Sequence, residues 1–332
     1  MKKNFFWVDF LKSLAAFAVI ILHVSVPFAG HIEKAEWFAG NFYDSLTRFC
    51  VPIFVMVSGV LLLGKSEKLS VFLQKRFLRL LLPFAFWSVI YLALKINYNL
   101  STSEILSFSI RLFKEGAEYH LWYIYMINGL YLLVPILNKW ILNSTKIELT
   151  YFLSIWLFVI LLSLPIINKF FTRIDFRYFS CYIGYLILGY FLYHFVHLKK
   201  RFAFTIFVLA VLCTYVATYY LSLKSGTFAK KYYEYLSINV VLASVGIFMV
   251  CKDIMVKNQW VQKSIAFISK YSYGIYLSHV FVLLLLTKIG FGSQFLNIWF
   301  AIPYTAMVCF ALSLLLTFLL SKIPFFGKYI SG

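Results

Sequence analysis

The sequence has few charged residues, and acidic residues are the scarcest of them. Charged side chains make up 13% of its 332 residues, and only 12 residues are Asp or Glu. Soluble domains carry about 25% charged residues, so this composition excludes an ordinary water-soluble enzyme. The hydrophobic share is 62%, as in a protein that lies largely within lipid. The near absence of acidic residues from the apolar stretches also argues against a carboxylate proton relay or a cation-coupled transporter.

Cysteine is sparse as well, and none of its five positions forms a C-x-x-C pair. Each cysteine lies in or beside an apolar stretch, where a free thiol behaves as a small hydrophobic group. We therefore expect neither a disulfide framework nor a cysteine-based metal site. The sequence also lacks a Gly-rich phosphate loop, an HExxH motif and a GxSxG motif, and this removes the commonest phosphate-binding, zinc-hydrolase and serine-hydrolase interpretations.

Long apolar runs dominate what is present, and most are close to the 20 residues that cross a bilayer. They occupy approximately 8–29, 46–64, 78–96, 119–137, 149–167, 178–197, 203–222, 236–251, 271–288 and 298–320. The sequence thus predicts an all-α polytopic membrane protein with about ten transmembrane helices. We expect these helices to form a single integral membrane domain over residues 1–332, with an external loop at 30–45.

The distribution of charge predicts the orientation of the chain. Lys and Arg number 31, and the net charge is +19. With a cytoplasmic N-terminus, 19 of the 31 basic residues are cytoplasmic and eight of the 12 acidic residues are external. Because basic residues collect on the cytoplasmic side, we predict that both termini are inside. The positive charge is not gathered in one basic domain, so we expect no nucleic-acid partner.

The first apolar run contains two residues that hydrocarbon disfavours, Lys12 and His23. Ionisable residues within membrane spans are rare and usually functional. The two residues are eleven positions apart, so an α-helix places them on one face, about 16 Å apart along its axis. One face of one helix therefore presents a cation near the membrane surface and a possible base about half a bilayer away.

Three arginines are also candidate functional residues. Arg76 and Arg79 are three positions apart, share a helix face and are cytoplasmic in the predicted topology. Their guanidinium forks suit phosphate groups, but the spacing alone favours an anchor on the cytoplasmic side. Arg48 lies at the outer end of the second run, where it either extends to the membrane surface or meets His23.

Two further histidines accompany the fourth and ninth runs. His120 and Trp122 open the fourth run from the outside, and an aromatic belt at the interface explains Trp122 better than His120. His279 falls in the middle of the ninth run. A lone buried histidine can simply hydrogen-bond between helices, but a second mid-membrane histidine besides His23 makes that explanation less satisfying.

Taken in order, these segments resemble the acyltransferase-3 family of integral membrane O-acyltransferases over essentially the whole chain. The family's first helix carries Arg or Lys, ten residues and then His, which Lys12 and His23 match. Four further patterns of the family follow in the same order. V-P-[IL]-F-x-M-x-S-G is matched by Val51–Gly59, R-x-x-R by Arg76–Arg79, and H-L-W-[FY] by His120–Tyr123. A Ser- and Tyr-rich pattern that ends in His is matched by Ser269–His279.

The resemblance implies acyl transfer, usually of acetyl, from cytoplasmic acyl-CoA to a sugar hydroxyl. The acceptor would be a surface polysaccharide or its lipid-linked precursor. The protein would be a multi-pass protein of the bacterial cytoplasmic membrane, with the lipid bilayer as its surroundings. It would hold no permanently bound cofactor, and acetyl-CoA would be its donor substrate.

The resemblance also implies roles on the donor side. The CoA phosphates would be held by three basic residues, Lys12, Arg76 and Arg79. His23 would act as the general base or as a transient acyl carrier, because neutral imidazole suits proton transfer near pH 7. An acyl-imidazole would let acetyl cross the membrane without the whole CoA molecule, and direct transfer is the alternative.

Roles on the acceptor side follow in the same way. Arg48 and His279 would orient His23 or stabilise charge on the acyl oxygen. His120 and Trp122 would face the sugar. The competing hypothesis is a transporter or flippase of a polysaccharide intermediate, which would need no acyl-CoA and would not depend on His23.

Overall fold

The structure is a computed structural model, and it describes residues 5–30, 32–95, 103, 106–107, 110, 116–164, 167, 181–291 and 297–332. Every regular element within these ranges is helical, and this confirms the all-α prediction. The C-terminal end of the fifth predicted run and the N-terminal end of the sixth fall partly outside the described residues.

Each predicted apolar run overlaps a helix. The longer helices are α1 (Phe6–Ala29), α4 (Leu69–Lys95), α5 (Trp122–Asn143), α8 (Lys200–Ser225), α10 (Gln259–Lys288) and α11 (Ile298–Ser321). The shorter ones are α2 (Glu36–Thr47), α3 (Cys50–Leu62), α6 (Lys146–Leu162), α7 (Ile183–Phe195), α9 (Ile238–Cys251) and α12 (Gly327–Ile330). Single 3-10 turns at Tyr119–Leu121 and Lys230–Tyr233 precede α5 and α9.

Eight helical segments in the described part of the chain are long and apolar enough to cross a bilayer. They confirm a polytopic membrane protein. Helices α6 and α7 have 17 and 13 residues, shorter than the roughly 20 residues of a typical span. The total of ten helices and the cytoplasmic location of both termini therefore stay predictions.

The loop predicted at 30–45 is wrong from Glu36 onward, because α2 begins there. Helix α2 is amphipathic, but its buried face mixes Trp37 with the polar residues Asn41, Asp44 and Ser45. Polar residues on a buried face lower the hydropathy of a segment, so the apolar-run criterion missed this helix. The segment Glu36–Leu62 as a whole is a candidate membrane span.

This span is interrupted at Arg48. Helix α2 ends at Thr47 and α3 begins at Cys50, with Pro52 in the first turn of α3. Proline has no backbone N–H, so it cannot donate to the carbonyl of the residue four positions earlier, which is Arg48. The interruption leaves the Arg48 side chain at a junction between two helices.

The chain forms two compact units, each assembled from three stretches of sequence. The first unit comprises Met1–Ser66, Ile136–Lys270 and Gly292–Met307, and the second comprises Glu67–Pro135, Tyr271–Phe291 and Val308–Gly332. Helices α5, α10 and α11 contribute residues to both units. A single acyltransferase domain over 1–332 stays a prediction.

In the first unit, α3 and α7 pack with their backbones in close approach. A Cβ atom on Gly59 would collide with the carbonyl of Leu186, and one on Gly189 would collide with the carbonyl of Met56. Small residues let transmembrane helices approach closely enough for backbone-to-backbone packing. Helix α3, which follows Arg48, is held against α7 in this way.

In the second unit, two tyrosine hydroxyl groups join α4 to α10. The Tyr273 hydroxyl donates to the Leu80 carbonyl at 2.8 Å, and the Tyr91 hydroxyl donates to the Leu277 carbonyl at 2.7 Å. The two bonds lie on either side of Pro83, which is inside α4. Because an interior proline breaks or kinks a helix, the tyrosines secure both halves of α4.

The packing of α3 on α7 predicts that Gly59→Ala destabilises the protein by about 1–3 kcal/mol, the usual cost of overpacking. Thermal unfolding of the purified protein in detergent measures this loss. Gly129→Ala on α5 is the control, since a Cβ there has no atom within 4 Å and alanine suits a helix better than glycine. Equal stability of the two variants would contradict the close approach.

Candidate active site

Lys12 lies near the start of α1 and is half-buried in the first unit. Its ammonium group donates to the Ser269 carbonyl at 3.2 Å, and the Ser269 hydroxyl donates to the Asp9 carboxylate at 2.6 Å. Asp9 and Lys12 are one turn apart on α1, so both reach the same turn of α10. The predicted phosphate-binding lysine thus belongs to a polar cluster with a neighbouring carboxylate.

His23 is half-buried on the same helix. Helix α1 runs without interruption from Phe6 to Ala29, so the shared face and the rise of about 16 Å from Lys12 to His23 follow from helix geometry. Pro27 lies inside α1 four positions after His23 and cannot donate to the His23 carbonyl. The role of His23 as base or acyl carrier stays a prediction, as does a passage between it and Lys12.

Arg48 pairs with Asp44, one turn earlier, in the first unit. The Arg48 Nε and a terminal nitrogen lie 2.5 Å and 2.7 Å from the two Asp44 oxygens. The other terminal nitrogen donates to the Tyr233 carbonyl at 3.2 Å, and the guanidinium carbon lies 4.3 Å from the Tyr233 ring centre. Since the Asp44 side chain is 1% exposed, this is a buried ion pair. A direct role of Arg48 in orienting His23 stays a prediction.

In the second unit the structure brings His120 and His279 together. Their ring centres are 5.1 Å apart, and the rings meet edge to face. His120 lies in the 3-10 turn before α5, and His279 lies on α10. The two side chains are 1% and 0% exposed. Two of the predicted residues therefore form one buried pair, although the sequence assigned them separate roles.

The hydrogen bond of His279 defines its tautomer. The Nδ1 atom lies 2.6 Å from the Tyr276 carbonyl oxygen. A carbonyl oxygen only accepts, so Nδ1 carries the proton, and in neutral imidazole Nε2 then holds the lone pair. His279 is thus fixed in the form whose Nε2 can take a proton from a hydroxyl group.

Two tyrosines to which the sequence analysis assigned no role complete this histidine pair; Tyr276 belongs to the motif that ends in His279, and Tyr91 to none. The Tyr276 hydroxyl donates to the His120 carbonyl. The Tyr91 ring packs edge to face on the His120 ring at 5.3 Å. Tyr276 precedes His279 by three positions and so shares its helix face, a signal that could have been noticed. Tyr91 carries no such signal, because it lies in an aromatic stretch of α4.

The arginine pair lies on the first half of α4, also in the second unit. Arg76 is half-buried and Arg79 is exposed. The Arg76 Nε atom is buried and has no hydrogen-bond partner among the residues that the structure describes. A buried guanidinium N–H without a partner is costly, so this donor suits an anionic ligand. Lys12 belongs to the first unit and the two arginines to the second.

Trp122 begins α5 and is 39% exposed. Its ring contacts the Tyr123 ring at 6.4 Å, and the Tyr123 ring packs against Tyr276 at 5.3 Å. Tyr123 is buried and Trp122 is not. The tyrosine of the H-L-W-Y segment therefore contacts Tyr276, whose hydroxyl donates to the His120 carbonyl.

Apolar spans with a buried ion pair in the first unit and a buried histidine pair in the second define a polytopic membrane protein with ionisable groups among its helices. A family model described as an acyltransferase domain matches residues 5–322. The chain therefore belongs to the acyltransferase-3 family, and the protein is a membrane acyltransferase. No curated protein matches the chain, and no solved structure matches it.

The buried ion pair predicts that Asp44→Ala lowers the free energy of unfolding by about 3–5 kcal/mol, because it leaves the Arg48 charge buried without a partner. Glu67→Ala is the control. It removes the partner of Lys75 in an exposed pair, and its expected effect is below about 1 kcal/mol. Replacing both members, with Asp44→Leu and Arg48→Met, is expected to recover much of the loss. Equal unfolding temperatures for the two single variants would contradict the prediction.

The tautomer of His279 predicts that asparagine and glutamine act differently at this position. His279→Asn keeps a donor near the Nδ1 position for the Tyr276 carbonyl and removes Nε2, so folding is expected to survive while acyl transfer falls. His279→Gln places its amide near Nε2 and loses the Nδ1 bond, so it is expected to unfold at a lower temperature. Unfolding scans and turnover assays on both variants measure these effects. Full activity of His279→Asn would show that Nε2 is not needed.

Proposed function

We propose that the protein is an O-acetyltransferase that moves an acetyl group from cytoplasmic acetyl-CoA to a sugar hydroxyl. The acceptor is a surface polysaccharide or a lipid-linked glycan precursor, and the protein acts in the bacterial cytoplasmic membrane. The observation that carries the proposal is the buried pair of His120 and His279, with the His279 tautomer that can accept a proton, in a chain of this family.

The donor is held by its phosphate groups. Arg76 offers a buried N–H without a protein partner in the described residues, and Arg79 adds an exposed guanidinium on the same part of α4. Arginine binds phosphate with two parallel hydrogen bonds. Lys12 remains the third basic residue in the proposal. Cytoplasmic acetyl-CoA agrees with the predicted orientation, which places all three residues on the cytoplasmic side.

The chemical step needs a base that removes the proton of the acceptor hydroxyl. As the hydroxyl oxygen attacks the acetyl carbonyl carbon, a histidine takes the proton, the carbon–sulfur bond breaks, and the CoA thiolate leaves and is protonated. His23 is our first choice for the base or for a transient acyl carrier. The Nε2 atom of His279 is a second candidate, and Arg48 and His279 remain candidates for charge stabilisation.

The acceptor side is proposed from position and from the resemblance. His120 and Trp122 lie at the start of α5, which is external in the predicted topology. Aromatic side chains there suit the apolar face of a sugar ring. In motif order and length the chain is similar to the O-acetyltransferase of enterobacterial common antigen, and a lipid-linked glycan is therefore the acceptor we test first.

The test measures acetyl-CoA turnover in purified protein and the masses of surface glycans from cells with and without it. We expect a gain of one acetyl group per modified sugar. His23→Ala is expected to abolish turnover while inserting normally. Full activity of His23→Ala would remove the proposed role, and glycan transport without acetyl-CoA would favour the transporter hypothesis.

Arg79→Ala separates donor binding from chemistry. We expect it to raise the KM for acetyl-CoA about tenfold and to leave kcat nearly unchanged, because it removes a contact that the donor makes before and during transfer. Arg201→Ala is the matched control, since Arg201 lies at the exposed start of α8. An unchanged KM with a lost kcat in Arg79→Ala would contradict the assignment.

A further inference from the structure

Helix α4 contains two buried polar groups that the proposed chemistry does not use. The side chains of Trp87 and Ser88 are 2% and 4% exposed. The Trp87 Nε1 and Ser88 Oγ atoms have no hydrogen-bond partner among the described residues. An unsatisfied polar group is costly at membrane depth, where no water replaces the missing partner. Such a pair suits a bound molecule that supplies the hydrogen-bond partners missing from the described residues.

Two other fully buried tryptophans in the described part of the chain have hydrogen-bond partners for their indole groups. Trp37 and Trp156 are also fully buried, and their indole N–H groups donate to the carbonyls of Ala29 and Cys181 at 3.1 and 3.3 Å.

Helical serines behave in the same way. Ser58, Ser154 and Ser244 donate to the carbonyl four positions earlier in their own helices, at 2.9, 2.9 and 2.7 Å. This back-bonding is the usual solution for serine in a membrane helix. Ser88 departs from it, and it is next in sequence to Trp87, whose indole N–H also has no partner among the described residues.

The two groups lie between the arginines and the histidine pair. Eleven residues separate Arg76 from Trp87, so the two share a face of α4 and are about 16 Å apart along it. One turn further on is Tyr91. Its ring centre lies 6.1 Å from the ring centre of Trp87 and 5.3 Å from that of His120. One face of α4 thus presents a buried guanidinium donor, then an indole donor, then a tyrosine in contact with a buried histidine.

We propose that the stretch of α4 from Arg76 to Tyr91 binds the pantetheine arm of acyl-CoA, with Trp87 and Ser88, which point about 100° apart around the helix axis, recognising different amide groups of the arm. This inference rests on the proposed donor and adds to it. The arm joins a diphosphate to a thioester through two amides, and from about 13 bonds it extends roughly 16 Å. The Trp87 N–H donates to an amide carbonyl, and the Ser88 hydroxyl, which can donate or accept, pairs with an amide. Arg76 holds a phosphate of the same molecule.

The experiment divides the donor into its two parts. Adenosine 3′,5′-bisphosphate carries the phosphates without the arm, and acetyl-pantetheine carries the arm and thioester without the nucleotide. Binding of each probe, and of CoA itself, is measured on the full chain in detergent.

Trp87→Phe removes the indole N–H and keeps an aromatic ring, and Ser88→Ala removes only the hydroxyl. Trp260→Phe is the matched control, because Trp260 is 81% exposed.

We expect Trp87→Phe and Ser88→Ala each to weaken binding of CoA and acetyl-pantetheine about three- to tenfold, the effect of one hydrogen bond. Their binding of adenosine 3′,5′-bisphosphate is expected to match that of the unaltered protein. Arg76→Gln is expected to weaken binding of adenosine 3′,5′-bisphosphate and of CoA, and to leave binding of acetyl-pantetheine unchanged. Trp260→Phe is expected to change binding of none of the three probes.

Two outcomes would overturn the inference. Equal loss for all probes in both variants would show a general packing effect, and full acetyl-pantetheine binding in Ser88→Ala and Trp87→Phe would show that neither group meets the arm. If Trp87→Phe does not fold, Ser88→Ala decides alone. Failure of the proposed function looks different, because the unaltered protein would then bind neither CoA nor acetyl-pantetheine.

Discussion

The structure depends on one constraint: at membrane depth every polar group needs a partner within the protein. The buried charge of Arg48 is balanced by Asp44 one turn away. A proline inside a helix leaves a backbone carbonyl that also needs a partner. Pro303 inside α11 cannot donate to the Trp299 carbonyl, and the Tyr43 hydroxyl donates to that carbonyl at 2.7 Å instead. In both cases a side chain supplies the partner that the charge or the backbone lacks.

Some buried polar atoms in the described residues have no such partner, and three of them lie on one helix. Arg76 Nε, Trp87 Nε1 and Ser88 Oγ are buried without a partner among the described residues, and all three belong to α4. Helix α4 is itself secured by tyrosine hydroxyls on both sides of Pro83. A firmly held helix with unused donors is suited to binding a substrate, since its groups need little rearrangement when the substrate arrives. For this reason the proposed donor site has most of its contacts on α4.

Hydropathy predicted most of the fold, and its one clear failure is instructive. The apolar runs located the long helices because burial in lipid demands continuous apolar sequence. Helix α2 was missed because its buried face includes Asn41, Asp44 and Ser45, and part of their hydrogen bonding comes from distant parts of the chain. Asn41, for example, accepts a hydrogen bond from the Tyr233 hydroxyl, 192 residues away. Local hydropathy contains no information about such a partner.

The sequence by itself determined the membrane class, the family motifs and the shared face of Lys12 and His23, because these depend on composition and on the helix repeat. Only the tertiary structure paired His120 with His279, placed Tyr91 against His120 and set the tautomer of His279. The Tyr276 and His120 positions that meet there are 156 residues apart, and their contact depends on how α10 packs beside the turn that opens α5. Periodicity describes one helix at a time, whereas a site is made where several helices meet.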